Sequence, residues 1–254
     1  MKIVKRLVFA LLFFSLCRIA ASQEPYPADA SFSELPHYED SDIVIAYEGF
    51  TVCYDTLKKN PVWVAYRLSS ARTQGEIGRE SRFTCDDRFP WPQARTGDYS
   101  YSGFDRGHMA PAADMKWSKK AMKDCFHMTN ICPQTPELNR KVWKVLEDRC
   151  RDWARKFGYI YIVCGPLFES SEPCTIGVNE VAVPDAFFKA VVAPSEDSFQ
   201  SIGFIFANDR ENQRLNLGKI TVDSVEVRSG LDLFYRMEES IEQHTDWEIW
   251  GLEP

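Results

Sequence analysis

Four consecutive residues, Asp105-Arg106-Gly107-His108, set an acid, a guanidinium, a glycine and an imidazole side by side, ahead of the small-residue run Met109-Ala110-Pro111-Ala112-Ala113. Arginine is a donor fork that fits phosphate or carboxylate. Histidine exchanges a proton near neutral pH without special help. Glycine lets the backbone approach or turn where a Cβ would clash. The combination suits a site that grips an anion while a proton is moved.

A second group of chemical interest lies on a helix. Thr135 is a cap and Pro136 a first helical residue, and the predicted helix runs to Phe157 and stops at Gly158. Leu138, Val142, Trp143, Leu146, Cys150, Trp153 and Phe157 form its apolar stripe. At 100° per residue Asn139 falls inside that stripe, and Glu147 lies at its edge, about 80° round from Asn139. An unsatisfied buried amide costs roughly 1–3 kcal/mol. Asn139 therefore needs a partner, either loop backbone or a hard cation that takes its oxygen.

The elements that must position these residues follow from local patterns. Residues 43–47, 50–54 and 62–68 read as strands, the last rich in β-branched and aromatic side chains. From Ser69 to Gly103 the chain reads as long loops leading to the tetrad; so long an irregular stretch is often functional. Ser118 caps a helix over 118–128, and 129–134 reads as a loop. Residues 159–164, 187–192 and 201–207 read as strands, with Gly165-Pro166 closing the first. Residues 222–227 and 231–235 fit helix or strand, and a helix is expected around 236–242. Strands and helices do not alternate strictly, which disfavours a doubly wound nucleotide fold. The expectation is an α+β fold with a mixed central sheet flanked by helices. There is no Gly-rich phosphate loop and no Gly-x-Ser-x-Gly elbow.

Residues 1–22 read as a signal peptide: Lys2, Lys5 and Arg6, then apolar Leu7 to Leu16 broken only by Ser15, then Ala20-Ala21-Ser22. Export to the periplasm or the exterior is the expectation. Residues 23–42 read as a mobile lead-in and 43–254 as a single domain. Removing the four basic residues of 1–22 takes the net charge from −7 to −11. Bulk electrostatics does not favour so acidic a chain on a polyanion. The charge is uneven, however. Between Lys116 and Lys156 eleven basic residues face five acids, either two solvated helix faces or a basic surface beside the tetrad. Seven cysteines remain (53, 85, 125, 132, 150, 164 and 174), so at least one thiol is free, and no Cys-x-x-Cys pair suggests zinc.

Taken together, Asp105-Arg106-Gly107-His108, Asn130-Ile131-x-Pro133-Gln134, Leu138-Asn139 and Trp143 leading to Leu146-Glu147 resemble the signature of the DNA/RNA non-specific endonucleases. These include secreted bacterial nucleases and mitochondrial endonuclease G. Trp63-Val64-Ala65-Tyr66, Val163-Cys164-Gly165-Pro166 and Phe187-Phe188-Lys189 also fit that pattern, so the resemblance covers most of 23–254. It implies a ββα-metal active-site motif and metal-dependent hydrolysis of DNA and RNA without sequence preference. His108 matches the general base, Arg106 a phosphate contact, and Asn130 a supporting amide. Asn139 matches the direct ligand of magnesium, for which manganese can substitute, and Glu147 an acid that holds the hydrated ion through water. Asp105 is expected to orient backbone or Arg106. An upstream arginine of the family corresponds to Arg67 or Arg72. Some relatives carry an asparagine where this chain has Phe126, so that role does not transfer. Relatives are often dimers, and no patch in the sequence decides the point. Two rival readings remain: a nuclease-like fold that binds nucleic acid without cutting, and a metal-independent His/Arg phosphodiesterase.

Overall fold

The computed structural model describes residues 35–195, 198–238, 240–243 and 245–252. The signal peptide expected over 1–22 lies outside them. Chain order runs β1 (Val44–Ala46), β2 (Thr51–Asp55), β3 (Asn60–Ser69), β4 (Asp105–His108), α1 (Lys119–Asp124), β5 (Ile131–Gln134), α2 (Trp143–Phe157) and β6 (Tyr159–Leu167). It continues with β7 (Thr175–Ile176), β8 (Val181–Ala182), β9 (Ala186–Pro194), β10 (Phe199–Ala207), β11 (Lys219–Ile220), α3 (Val222–Ser229) and α4 (Ser240–Gln243).

Seven strands form one sheet in the order β1-β2-β3-β6-β9-β10-β11. Every pairing in it is antiparallel, which sharpens the expected mixed sheet. The α+β expectation holds. Alternate residues of each strand feed two apolar layers, as the period of two requires. On one face Tyr66, Ile162, Phe187 and Phe204 pack with Trp143, Leu146 and Trp153 of α2. On the other Trp63, Tyr161, Phe188 and Val192 pack with Val222 and Val225 of α3.

Local chemistry accounts for several boundaries. Ser118 caps α1 by accepting from the N–H groups of Lys120 (3.1 Å) and Ala121 (3.3 Å). Gly158, at φ 85°, ends α2 in a conformation that other residues adopt only with strain. The ambiguous stretch from Val222 is helical because Thr221 caps it, accepting from the Ser224 N–H at 3.2 Å. Residues 231–235 form neither element, and α4 is a single turn.

Three expectations are corrected. β6 runs through Gly165-Pro166 rather than ending before them. Its pairing with β3 stops at Val64–Cys164, whereas its pairing with β9 continues to Leu167–Ala186. Pro166 thus sits where β6 has one neighbour only, so its missing N–H breaks no ladder. The tetrad, given no element of its own, and residues 131–134, read as part of a loop, are the strands of a two-stranded ribbon. They are too short and polar to show a period. The lead-in is also docked before residue 43: Leu35 packs on the second apolar layer, and the His37 N–H donates to the Asp232 carbonyl at 2.8 Å.

No helix among the described residues is long and apolar enough to cross a membrane. All seven described cysteines are free thiols.

Candidate active site

The β4–β5 ribbon presents the tetrad. Asp105 faces Gln134, Arg106 faces Pro133, Gly107 faces Cys132 and His108 faces Ile131. Gly107 serves close approach rather than a turn, since a Cβ there would stand 2.1 Å from Gln134 Oε1.

His108 is buried against two aromatic rings that also touch each other, with Phe83 at 5.3 Å, Phe126 edge-on at 4.8 Å, and the two phenyl rings 4.9 Å apart between centroids. Each ring is capped by a guanidinium: Arg106 lies over Phe83 at 5.4 Å and Arg79 over Phe126 at 5.0 Å. The imidazole Nε2 is buried without a hydrogen-bond partner among the described residues. Burial, with the charge of Arg79, pushes the His108 pKa down to about 3. The ring is neutral at neutral pH and retains a lone pair that can take a proton.

Arg106 belongs to β4 but is held by the loops before it. Its Nη2 donates to the Thr96 carbonyl at 3.4 Å, and Tyr99 lies 6.0 Å beneath its guanidinium. It lines an open cleft of about 600 Å³ with Arg82, Phe83, Thr84, Cys85 and Thr96. The two candidates for the upstream arginine each stack on a ring other than those against His108. Arg67 stacks on Tyr159 at 4.3 Å, and Arg72 stacks on Trp117 at 4.2 Å and bonds the Arg67 carbonyl. Arg79 is the one whose charge reaches His108. It sits in the irregular stretch before the tetrad, where no periodic pattern singles it out.

The helix brings the amide. Residues 138–142 form a π turn, in which the Trp143 N–H reaches back five residues to the Leu138 carbonyl. Such turns are frequent at functional sites. A π turn holds one residue more than an α turn, so it takes back up to about 100° of rotation. The separation of Asn139 from Glu147 expected for a regular helix therefore shrinks, and both side chains are half-buried. The Asn139 Nδ2 donates to Asp105 Oδ2 at 2.9 Å. Arg140 grips the same carboxylate, Nε to Oδ2 at 2.8 Å and Nη2 to Oδ1 at 2.6 Å. Burial would raise the Asp105 pKa, but the bonds from Arg140 and Asn139 outweigh it and hold the carboxyl below its ordinary range. Asp105 thus orients Asn139 and Arg140, where the expectation was the backbone or Arg106.

Glu147 lies two turns further along α2, above a buried charge cluster. Burial pushes its carboxyl up to about 7; Lys189 opposes this shift and Asp114 adds to it. Asp114 is buried and accepts from Arg151 Nη1 at 2.6 Å and from the Tyr66 hydroxyl at 2.9 Å. Lys189 is fully buried, its Nζ 4.6 Å from the Trp143 ring. Two acids and two cations balance, which lets a charged group persist so deep.

Asn130 does not reach the cleft. It is fully buried, and its amide accepts from the Ala110 N–H (2.9 Å) and donates to the carbonyls of Ala110 (3.0 Å) and Cys125 (2.8 Å). It ties the segment after His108 to the end of α1 and is a positioning residue. Five of the eleven basic residues of the window, Lys120, Arg140, Lys144, Arg151 and Arg155, are ion-paired.

Comparison with known proteins bears on this arrangement. The profile of a family described as "DNA/RNA non-specific endonuclease" matches residues 32–240. The human protein "Endonuclease G, mitochondrial" is 34% identical over 198 residues, 72% of this chain and 67% of that protein. The zebrafish protein "Nuclease EXOG, mitochondrial" is 36% identical over 204 residues, 74% of this chain and 60% of its own length. The yeast "Mitochondrial nuclease" is 33% identical, covering 75% and 65%. The matched stretch spans about two thirds of these relatives. The solved "EndoG/EndoGI complex" superimposes with a TM-score of 0.76 at 26% identity, covering 83% of this chain and 91% of that one. The expectation of export does not survive these relatives, which are named as mitochondrial. A basic, acid-free start such as residues 1–22 is shared by export signals and mitochondrial leaders, so it did not discriminate.

Proposed function

Because the chain belongs to the DNA/RNA non-specific endonuclease family, we propose that it hydrolyses phosphodiester bonds of DNA and RNA without sequence preference, at the cleft beside His108. The observation that carries the proposal is the neutral His108, whose Nε2 has no partner among the described residues and whose ring packs against two arginine-capped phenyl rings. His108 takes a proton from the attacking water as general base. Arg106 contacts the phosphate and supplies fixed positive charge where negative charge grows, and Arg79, over the neighbouring Phe126 ring, adds a second cation. Contacts to backbone phosphate carry no sequence information, which fits weak sequence preference.

The residues present fit a hard divalent ion. With Nδ2 committed to Asp105, the Asn139 Oδ1 is the free end of the amide. Among the described residues no group of three or more His, Cys, Asp and Glu could hold a metal. A single neutral oxygen with water in the other places suits magnesium, which dehydrates reluctantly, and admits manganese. Asn139 would hold the ion directly and Glu147 through its waters. When bound, the ion supplies Lewis-acid stabilisation of the phosphoryl and leaving oxygens. Asp105 keeps the amide pointed, and Asn130 keeps the backbone after His108 in register.

We infer a mitochondrial compartment for the working enzyme from the relatives' names, and seven free thiols accord with it. Plasmid nicking and RNA cleavage with magnesium, with and without EDTA, test the activity. Both substrates are cut with magnesium and spared with EDTA; substrates left intact with magnesium present would refute the proposal.

A further inference from the structure

The turn that delivers the chain to β4 carries an unexplained cost. Tyr101 has φ 59°, the left-handed region, where a bulky L residue is an outlier. Its side chain is 108% exposed, so the ring gains no packing in return. The turn itself is well anchored. The Ser102 hydroxyl donates to the Tyr99 carbonyl at 2.9 Å and accepts from the Phe104 N–H at 3.1 Å. Tyr99 is buried under Arg106, and its hydroxyl donates to the Ile131 carbonyl at 3.4 Å. Tyr101 is therefore an exposed aromatic tip on a hydrogen-bonded turn.

Its position is bounded by the chain. Four peptide units separate Tyr101 from Asp105, so their Cα atoms lie within about 15 Å. Asp105 is gripped by Arg140 and bonded to Asn139, and Arg106 follows it directly. A strand whose phosphate sits at Arg106 carries its neighbouring bases within that reach.

We propose that Tyr101 is a stacking platform for an unpaired base of the substrate strand, a few nucleotides from the scissile phosphate; this rests on the nuclease reading above. Every base has a π face, so a stacking contact tolerates any sequence. It also discriminates between strand states, because bases in a duplex are already stacked on one another. The ligand class is single-stranded DNA or RNA, or unpaired segments of a duplex.

The test uses full-length protein carrying His108→Ala, which stops turnover. Fluorescence anisotropy measures its affinity for a short labelled single-stranded DNA and for the blunt duplex of the same sequence. Adding Tyr101→Gly should weaken single-strand binding about 5- to 150-fold, while duplex binding changes by less than about twofold. Tyr101→Phe keeps the ring and should retain single-strand binding. The melting temperature of Tyr101→Gly should be equal or higher, since glycine accepts the left-handed φ, so lost binding cannot be put down to misfolding. Single-strand affinity of Tyr101→Gly within about twofold of the His108→Ala parent overturns the assignment. A parent that binds neither strand form refutes the nuclease reading instead, and this inference with it.

Discussion

Asn139 and Asp105, 34 positions apart, are joined by a 2.9 Å hydrogen bond from Nδ2 to Oδ2. An ionised carboxylate only accepts, so the amide nitrogen must face it and the amide oxygen must face away. That one contact decides which end of Asn139 is offered to a cation. It also assigns Asp105, the first residue of the tetrad, to orienting the amide rather than to proton transfer.

Asp105→Asn keeps the shape but removes the charge that holds Arg140 and lets the Asn139 amide flip. Partners of this kind typically carry 10- to 100-fold in metal affinity or activity. The magnesium concentration for half-maximal nicking should rise by about that factor. An unchanged magnesium curve would remove Asp105 from the site.

The two asparagines should separate cleanly. Asn139→Ala should lower nicking by at least about 100-fold with little change in melting temperature, because its amide is half-buried and its one bond lies at the surface rim. Asn130→Ala deletes three buried hydrogen bonds. It should destabilise by about 3 kcal/mol or more, lowering the melting temperature by many degrees. Thermal melts beside nicking rates check both, and the reverse pattern would exchange the two roles.

Glu147 links stability to pH. Its folded carboxyl is raised to about 7 by burial, above the ordinary value of 4.5. The fold therefore binds this proton more tightly than the unfolded chain does, and stability falls as pH rises from 4.5 through 7. Glu147→Gln, which mimics the protonated form, should be more stable than the parent at pH 8 by roughly 1–3 kcal/mol in magnesium-free buffer. The gain should vanish near pH 4. Denaturant titrations at the two pH values measure it, and a parent more stable at pH 8 would contradict the assignment.

Arg79 and Arg67 make a matched pair. If Arg79 faces the substrate, Arg79→Ala should weaken DNA binding and reduce the slope of log affinity against log salt by about 0.7–0.9. Arg67→Ala removes a guanidinium stacked on Tyr159 away from the cleft and should leave the slope unchanged. Salt titrations of binding in the His108→Ala background distinguish them.

What could be read in advance was local. The cap at Ser118, the Thr135-Pro136 start, the Gly158 stop and the stripe of α2 each arise from interactions among near neighbours, and all of them appear in the structure. The π turn was invisible because its apolar spacing of three and four residues also satisfies a regular helix. The placement of Arg79 near His108 could not be read from the sequence, because no period marks a residue in an irregular loop. The expectation of export rested on the apolar run of residues 7–16, and the relatives' names point elsewhere; the basic, acid-free start alone fits both sorting routes.

By itself the sequence determined which chemistry was available: an imidazole, an arginine fork and an amide on an apolar stripe, within an α+β chain. Residue types and short-range periods carry that information without reference to the rest of the molecule. Only the tertiary structure decided how those groups are used. The bond from Asn139 to Asp105, the stacking of Arg79 and Arg106 on the two rings against His108, and the burial that keeps the imidazole neutral all join distant parts of the chain. Such contacts depend on how the ribbon, the loops and the helix pack, and local sequence preference does not specify that packing.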